Sequence, residues 1–315
     1  MSKIAVVFPG QGAQYVGMAR SFYDTYPAAR EVFDRAAAVL GEKLLQTIFY
    51  GPEEELQKTE NTQPAVLTAS IAVYRVLEAL GCRADGMAGL SLGEYSALVA
   101  SGALTLEDAL PLVQKRGRFM QEAVPAGQGT MAAIMGLSGR QVEAVCRAAA
   151  VEGVVSPANY NCPGQVVISG QQRAVKRALS LARVAGAKKM TELKVSAPFH
   201  CALLKPVEPL LARELEKIML RAPAVPVIFN VSASFEADPL KIKENLVKQV
   251  SSSILWEQSM RVLCAQGFDT FIDVGPGNTL AKLMKRIDPA VSAVAVDSLE
   301  SPEEVERYLK GVVRS

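Results

Sequence analysis

The sequence predicts an α/β fold: a mostly parallel sheet covered by helices, with a smaller βαββαβ unit inserted midway. Three observations carry that expectation. Short apolar runs alternate with amphipathic stretches, glycine and proline breaks separate them, and over residues 127–195 the pattern changes to short strands paired around two helices. The length of 315 residues suits two units of roughly 100–200 residues each.

Taken in order, residues 3–8 are apolar and run into Pro9-Gly10, which reads as a buried strand and a turn. Residues 27–40 have helical periodicity and stop at Gly41, and residues 63–80 form a longer apolar helix stopped by Gly81. Residues 94–100 continue as a helix up to Gly102. Thr105-Leu-Glu-Asp108 is similar to a capping box and starts a helix through about residue 122. Pro125-Ala-Gly-Gln-Gly129 is a break. Beyond it come a strand at 130–135, a helix at 138–150 and a strand at 154–160. A turn at 161–164, a strand at 165–169, a helix at 171–185 and a strand at 188–195 complete the ferredoxin-like order. A strand at 270–274 leads into Gly275-Pro-Gly277. The expected organisation is a core of residues 1–126 and 196–315 around an insert of residues 127–195, with no internal repeat.

Composition excludes several classes of function. Half of the residues are hydrophobic and 21% are charged, so a sizeable core can form. Lys plus Arg is 34 against 32 for Asp plus Glu, and the net charge of +2 is too balanced for a nucleic-acid binder. No apolar run approaches the ~18 residues of a membrane span, so no membrane is expected as a partner. The short apolar stretch before Pro9 does not read as a signal peptide. Cys82, Cys146, Cys162, Cys201 and Cys264 are odd in number and form no CxxC pair, which predicts reduced thiols and a cytoplasmic location. Ligands with the spacing of a metal site are absent, so no metal is expected.

Gly89-Leu-Ser-Leu-Gly93 matches G-x-S-x-G. A nucleophilic serine has to project from a sharp strand-to-helix turn. Glycines two residues to either side let strand and helix approach without Cβ clashes. The helix start behind Ser91 offers free N–H groups, and that of Leu92 would point at an oxyanion. Gly86 weakens the strand before this elbow. A serine nucleophile needs a base, and the only histidine is His200, in Ser196-Ala-Pro-Phe-His200 where the insert returns. No Asp or Glu stands out as a third member, so a backbone or side-chain carbonyl would orient the imidazole. Cys201 reads as a packing residue, because adjacent residues rarely form a base–nucleophile hydrogen bond.

Pro9-Gly-Gln-Gly-Ala-Gln14 follows the first strand. Tyr15 stands where a dinucleotide loop needs its third glycine, and no Walker lysine follows. The loop still lies at the C-terminal end of a strand, where α/β active sites collect. It could place the Gln11 N–H as a second oxyanion donor, with a plain tight turn as the alternative. Arg116 is a solvated charge unless the substrate carries a carboxylate, which a guanidinium grips in bidentate fashion.

Together these motifs resemble the malonyl-CoA:acyl-carrier-protein transacylases, the stand-alone acyltransferases of type II fatty-acid synthesis. Seven stand in the family's order: Pro9-Gly-Gln-Gly-Ala-Gln14, Asn61-Thr-Gln-Pro64, Gly89-Leu-Ser-Leu-Gly-Glu-Tyr95, Gln114-Lys-Arg-Gly117, Asn161-Cys-Pro-Gly-Gln165, Ala197-Pro-Phe-His200 and Asp273-Val-Gly-Pro-Gly277. The resemblance covers essentially the whole chain. It implies an α/β-hydrolase-like core with a ferredoxin-like subdomain, Ser91 as nucleophile and His200 as general acid/base. It further implies Gln11 and Leu92 as the oxyanion-hole positions, Arg116 as the clamp for the malonyl carboxylate, and Gln249 as the residue whose backbone carbonyl orients the histidine. Gln63 and Asn161 match polar residues lining the cleft. Phe199 stands where malonyl-selective members keep an aromatic ring that would crowd an α-methyl branch. Malonyl-CoA and acyl carrier protein are the implied partners. Coenzyme A and phosphopantetheine enter as parts of the substrates, the enzyme has no cofactor of its own, and a monomer is implied.

In one departure, Leu90 replaces the histidine of the family's usual G-H-S-x-G; that histidine is not the catalytic base. The chain is in this respect similar to a subset that includes trans-acting polyketide-synthase acyltransferases and acyl-thioester hydrolases with the same Ser-His dyad. The hydrolases typically lack the clamp arginine, so Arg116 argues for transfer. An acidic carrier protein calls for a basic patch beside the cleft, for which Lys188 and Lys189, or Lys282, Lys285 and Arg286, are the candidates.

Overall fold

The computed structural model describes residues 2–125, 127–193, 195, 197–299 and 302–313. The first part of the chain runs β1 (Lys3–Phe8), α1 (Arg20–Thr25), α2 (Pro27–Leu40), α3 (Lys43–Tyr50), α4 (Glu53–Leu56), α5 (Thr59–Ala79), β2 (Gly86–Gly89), α6 (Gly93–Ala100) and α7 (Leu106–Glu122). The middle is β3 (Gly129–Met135), α8 (Gly139–Ala149), β4 (Val155–Cys162), β5 (Gln165–Gln171), α9 (Gln172–Val184) and β6 (Lys189–Glu192). The last part is α10 (Val207–Glu216), β7 (Val227–Phe229), β8 (Ser234–Phe235), α11 (Pro239–Gln249), α12 (Trp256–Ala265), β9 (Phe268–Asp273), α13 (Thr279–Ile287), β10 (Ser292–Ala295) and α14 (Pro302–Val313).

β1 occupies the middle of a six-stranded sheet of order β10-β9-β1-β2-β7-β8, parallel except for β8. Alternation along β1 divides two cores. Ile4, Val6 and Phe8 enter the larger one with helices α2, α5 and α7, while Ala5 and Val7 enter a second one with α12 and α13. Phe8 pairs with Gly89 and Val7 with Asp273, so β1, β2 and β9 end side by side. The Gln11 loop, the Ser91 turn and the Gly275–Gly277 turn therefore emerge at one edge, where open parallel sheets place their ligands.

The middle segment forms its own four-stranded antiparallel sheet, β4-β5-β3-β6. Helices α8 and α9 cover one face through Ala132, Ile134, Val142, Val175 and Ala178. Ser138 starts α8 with a full capping box to Gln141. Met131, Ala133 and Val167, on the opposite face, join the core of the large sheet. Two seams tie the sheets together. Ile254 donates its N–H to Ala158 and accepts from Tyr160, at 2.8 and 2.9 Å. Arg286 on α13 hydrogen-bonds Gln165 and the Pro163 carbonyl of the β4–β5 hairpin.

Several expectations are corrected. α5 starts at Thr59 rather than at residue 63, because Pro64 forgoes only one early bond of a 21-residue helix. Asn161 and Cys162 belong to β4, so the turn is Pro163-Gly164 alone, with Gly164 at φ 71°. Gly86 is not a weak point of β2: a Cβ there would lie 2.7 Å from the Phe268 ring, so the close packing of β9 requires glycine. The last strand of the insert is shorter than expected, Lys189–Glu192. The expected joins at residues 126 and 196, and residue 194 of the expected strand, lie outside the described residues.

Candidate active site

The elbow is built by glycine. A Cβ on Gly89 would sit 1.8 Å from the Gly93 carbonyl carbon, and one on Gly93 would sit 2.1 Å from the Phe8 carbonyl oxygen. With both absent, α6 starts against the ends of β1 and β2, and Ser91 takes the left-handed backbone at φ 54°. Asn230, just past β7, pins the turn. Its Oδ1 accepts from the Ser91 N–H at 2.7 Å and its Nδ2 donates to the Gly89 carbonyl at 2.7 Å.

His200 faces that serine from the segment that follows the small sheet. Ser91 Oγ lies 2.7 Å from Nε2, and Nδ1 lies 2.8 Å from the Gln249 carbonyl oxygen. A carbonyl can only accept, so Nδ1 carries the proton and Nε2 is free to receive one from Ser91. Burial, then the neighbouring Arg116 charge, lowers the His200 pKa to about 3, against the pull of the Gln249 carbonyl. The imidazole is therefore neutral near pH 7, as a base must be before it takes a proton.

Arg116 comes from α7, which packs close to α5 because Gly117 has no Cβ to meet the Thr59 carbonyl. The side chain is 1% exposed, so it is not the solvated charge that its helix position permits. Among the described residues its acceptors are all neutral: Gln63 Oε1 and Gln249 Oε1 at 2.8 Å, and Ser91 Oγ at 3.2 Å. It also lies over the Tyr95 ring, 5.4 Å from the centroid. Burial lowers its pKa from the ordinary guanidinium value. Beside it, buried Glu94 accepts from Gln249 Nε2 at 2.6 Å and from the Asn230 N–H. Burial pushes the Glu94 carboxyl up, while the Asn230 donor, the Arg116 charge and the Gln249 donor pull it back.

These groups open onto a cleft of about 430 Å³ between the two sheets. Ser91, His200, Arg116, Gln11, Leu92, Gln63, Asn161 and Phe199 all line it. Gln249 stands behind them, wholly buried. Neither the Gln11 nor the Leu92 backbone N–H has an acceptor among the described residues. Glu94 and Asn230 were not singled out from the sequence. Glu94 had a signal in its place directly after the elbow, and Asn230 a weaker one as a lone amide after Val-Ile-Phe. Cys201 is buried, its Sγ against the Pro198 carbonyl, as a packing residue should be. Among the described residues no cluster could hold a metal ion, and no helix is long and apolar enough to cross a membrane.

The family model for the acyl transferase domain matches residues 5–300, and the chain belongs to that family. Within it, the chain is 48% identical over 298 residues to the malonyl CoA-acyl carrier protein transacylase of Escherichia coli strain K12, covering 94% of this chain and 96% of that one. The crystal structure of an acyl carrier protein S-malonyltransferase from Vibrio cholerae matches with a TM-score of 0.94 at 46% identity, over 96% of this chain and 100% of that one. A malonyl-transacylase in complex with its type II PKS acyl-carrier protein matches with a TM-score of 0.95 at 42% identity, over 98% and 100%.

Proposed function

We propose that the chain transfers a malonyl group from malonyl-CoA to the phosphopantetheine thiol of acyl carrier protein, through a malonyl ester on Ser91, and so supplies extender units for fatty-acid synthesis. The observation that carries this reading is Arg116: a buried guanidinium held, among the described residues, only by neutral acceptors, 3.2 Å from the nucleophile. A buried cation without a directly bonded carboxylate is costly, and an incoming malonyl carboxylate supplies the missing partner.

His200 Nε2 takes the Ser91 proton as Oγ attacks the thioester carbonyl carbon. The Gln11 and Leu92 N–H groups receive the oxyanion; one such donor is typically worth about 3–4 kcal/mol. The C–S bond breaks, and coenzyme A leaves with the proton from His200. The phosphopantetheine thiol then gives its proton to His200 and attacks the ester carbonyl. The C–Oγ bond breaks and Ser91 recovers its proton. Arg116 anchors the acyl group so that the thiol, rather than water, is aligned to attack. Gln63 and Asn161 offer polar contacts along the cleft, and the Phe199 ring disfavours an α-methyl branch.

The reading takes residues 127–195 as a subdomain set into a core of residues 1–126 and 196–315, a division that the separate sheets support. It sets a monomer at work in the cytoplasm, which five unpaired cysteines support, with no metal or cofactor of its own. Lys188, Lys189, Lys282 and Lys285 remain candidates for meeting the acidic carrier, whereas Arg286 is engaged with the β4–β5 hairpin. The test is the intact mass after mixing with malonyl-CoA, beside a Ser91→Ala control. A single malonyl adduct on the wild type alone is expected. No adduct, with free coenzyme A accumulating, would replace transfer by hydrolysis.

A further inference from the structure

We propose that Glu94 is a positioning residue for the carboxylate clamp: through the Gln249 side-chain amide it fixes the Arg116 guanidinium, and so sets the preference for malonyl over uncharged acyl groups. The inference rests on the malonyl-transfer reading above.

The Gln249 amide is held between the Arg116 guanidinium and the Glu94 carboxyl group. Its Oε1 accepts from Arg116 at 2.8 Å, and its Nε2 donates to Glu94 Oε2 at 2.6 Å and to the Ser91 carbonyl at 3.0 Å. Turned end for end, the amide would set its NH2 against the guanidinium and its oxygen against both a carboxylate and a carbonyl. Glu94 joins the guanidinium and the Ser91 carbonyl in forbidding the turn, since a carboxyl group facing two N–H donors accepts at both oxygens. The other Glu94 contact, with the Asn230 N–H, leaves it no freedom to rotate away. All three side chains are at most 1% exposed, so water cannot stand in for a lost partner.

The arrangement solves a specific problem. A carboxylate bonded directly to Arg116 would neutralise it and compete with the substrate. With Glu94 one amide away, the guanidinium is oriented by neutral oxygens and its charge stays available. Glu94 lies in the first turn of α6, so the same turn that projects Ser91 also places the group that aims the clamp.

The test is the ratio of malonyl to acetyl loading on Ser91, read as kcat/KM for malonyl-CoA and for acetyl-CoA. Glu94→Gln keeps the shape but sets a donor against a donor, either at Gln249 or at Asn230. The ratio should fall roughly tenfold, chiefly through the KM for malonyl-CoA. A purely structural Glu94 would lower both loadings together and leave the ratio unchanged, which overturns the inference. Should Glu94→Gln fail to fold, Glu94→Asp retracts the carboxylate and should lower the ratio in the same direction; an unchanged ratio there overturns the inference equally. If the wild type itself loads acetyl as well as malonyl, the malonyl-clamp reading of Arg116 falls and the inference with it. If the wild type prefers malonyl and the variants keep that preference, only the inference falls.

Discussion

Ser91 and His200 meet across 2.7 Å with both backbones in the left-handed region, at φ 54° and 59°. A residue with a Cβ costs roughly 1–2 kcal/mol there. Reactive side chains at strained positions are held by their surroundings, and here the Asn230 bonds and the α6 start do the holding. Ser91→Ala and Ser91→Gly both remove the nucleophile, but only glycine relieves the backbone. The glycine variant should be more stable than the alanine variant by about 1 kcal/mol in urea unfolding. Equal midpoints would remove strain from the account of the elbow.

The buried imidazole links stability to pH. Its pKa is about 3 in the folded chain and near 6.5 for an ordinary histidine. Between those values the unfolded chain binds a proton that the folded chain refuses. This contribution is therefore intact above about pH 6.5 and is lost as the pH falls toward 3. From pH 7 to pH 5 it amounts to about 2 kcal/mol. Urea titrations of wild type and His200→Gln at the two pH values isolate it, since the variant lacks this component. A wild type that loses no more stability than the variant would contradict a neutral, buried His200.

Arg116→Ala should reduce malonyl loading by about two orders of magnitude, because the carboxylate loses a charged, desolvated partner. Acetyl loading should fall far less. Arg116→Lys should recover only part of the loss, for want of the planar fork. Single-turnover loading of both acyl groups decides the matter; equal losses for the two would sink the clamp assignment.

Two glycines should respond to alanine for different reasons. Gly89 has the Gly93 backbone within 1.8 Å of its would-be Cβ, and no rotamer avoids it, so Gly89→Ala should cost more than about 3 kcal/mol or prevent folding. Gly102 has φ 75° and open space around it, so Gly102→Ala should cost only about 1 kcal/mol. Thermal melts of the two variants test the distinction.

The parts of this fold that a local pattern dictates are legible in the chain. The helix of residues 27–40 is bracketed by a proline and a glycine, and Thr105 caps α7 through the Asp108 N–H as its spacing implies. Ser91 stands out by its flanking glycines, and His200 by being the only imidazole. What stays hidden depends on partners far along the chain. Gly86 looks like a flaw until Phe268 lies against it. Arg116 looks like a surface charge until α5, α6 and α11 enclose it. Glu94 gains its meaning only when Asn230 and Gln249 arrive from opposite sides, and a motif read along the sequence contains neither.

Gln249 ends α11, and a few residues later Ile254 is stitched to Ala158 and Tyr160 on the small sheet. The carbonyl that steadies the proton acceptor thus hangs from the stitching between the two sheets, while the nucleophile belongs wholly to the large one. The alignment of acid–base partner and serine is mechanically geared to how the two halves of the cleft are set against each other. A load on the small sheet can reach the proton-transfer distance through this short stretch of backbone as well as through the segment that carries His200.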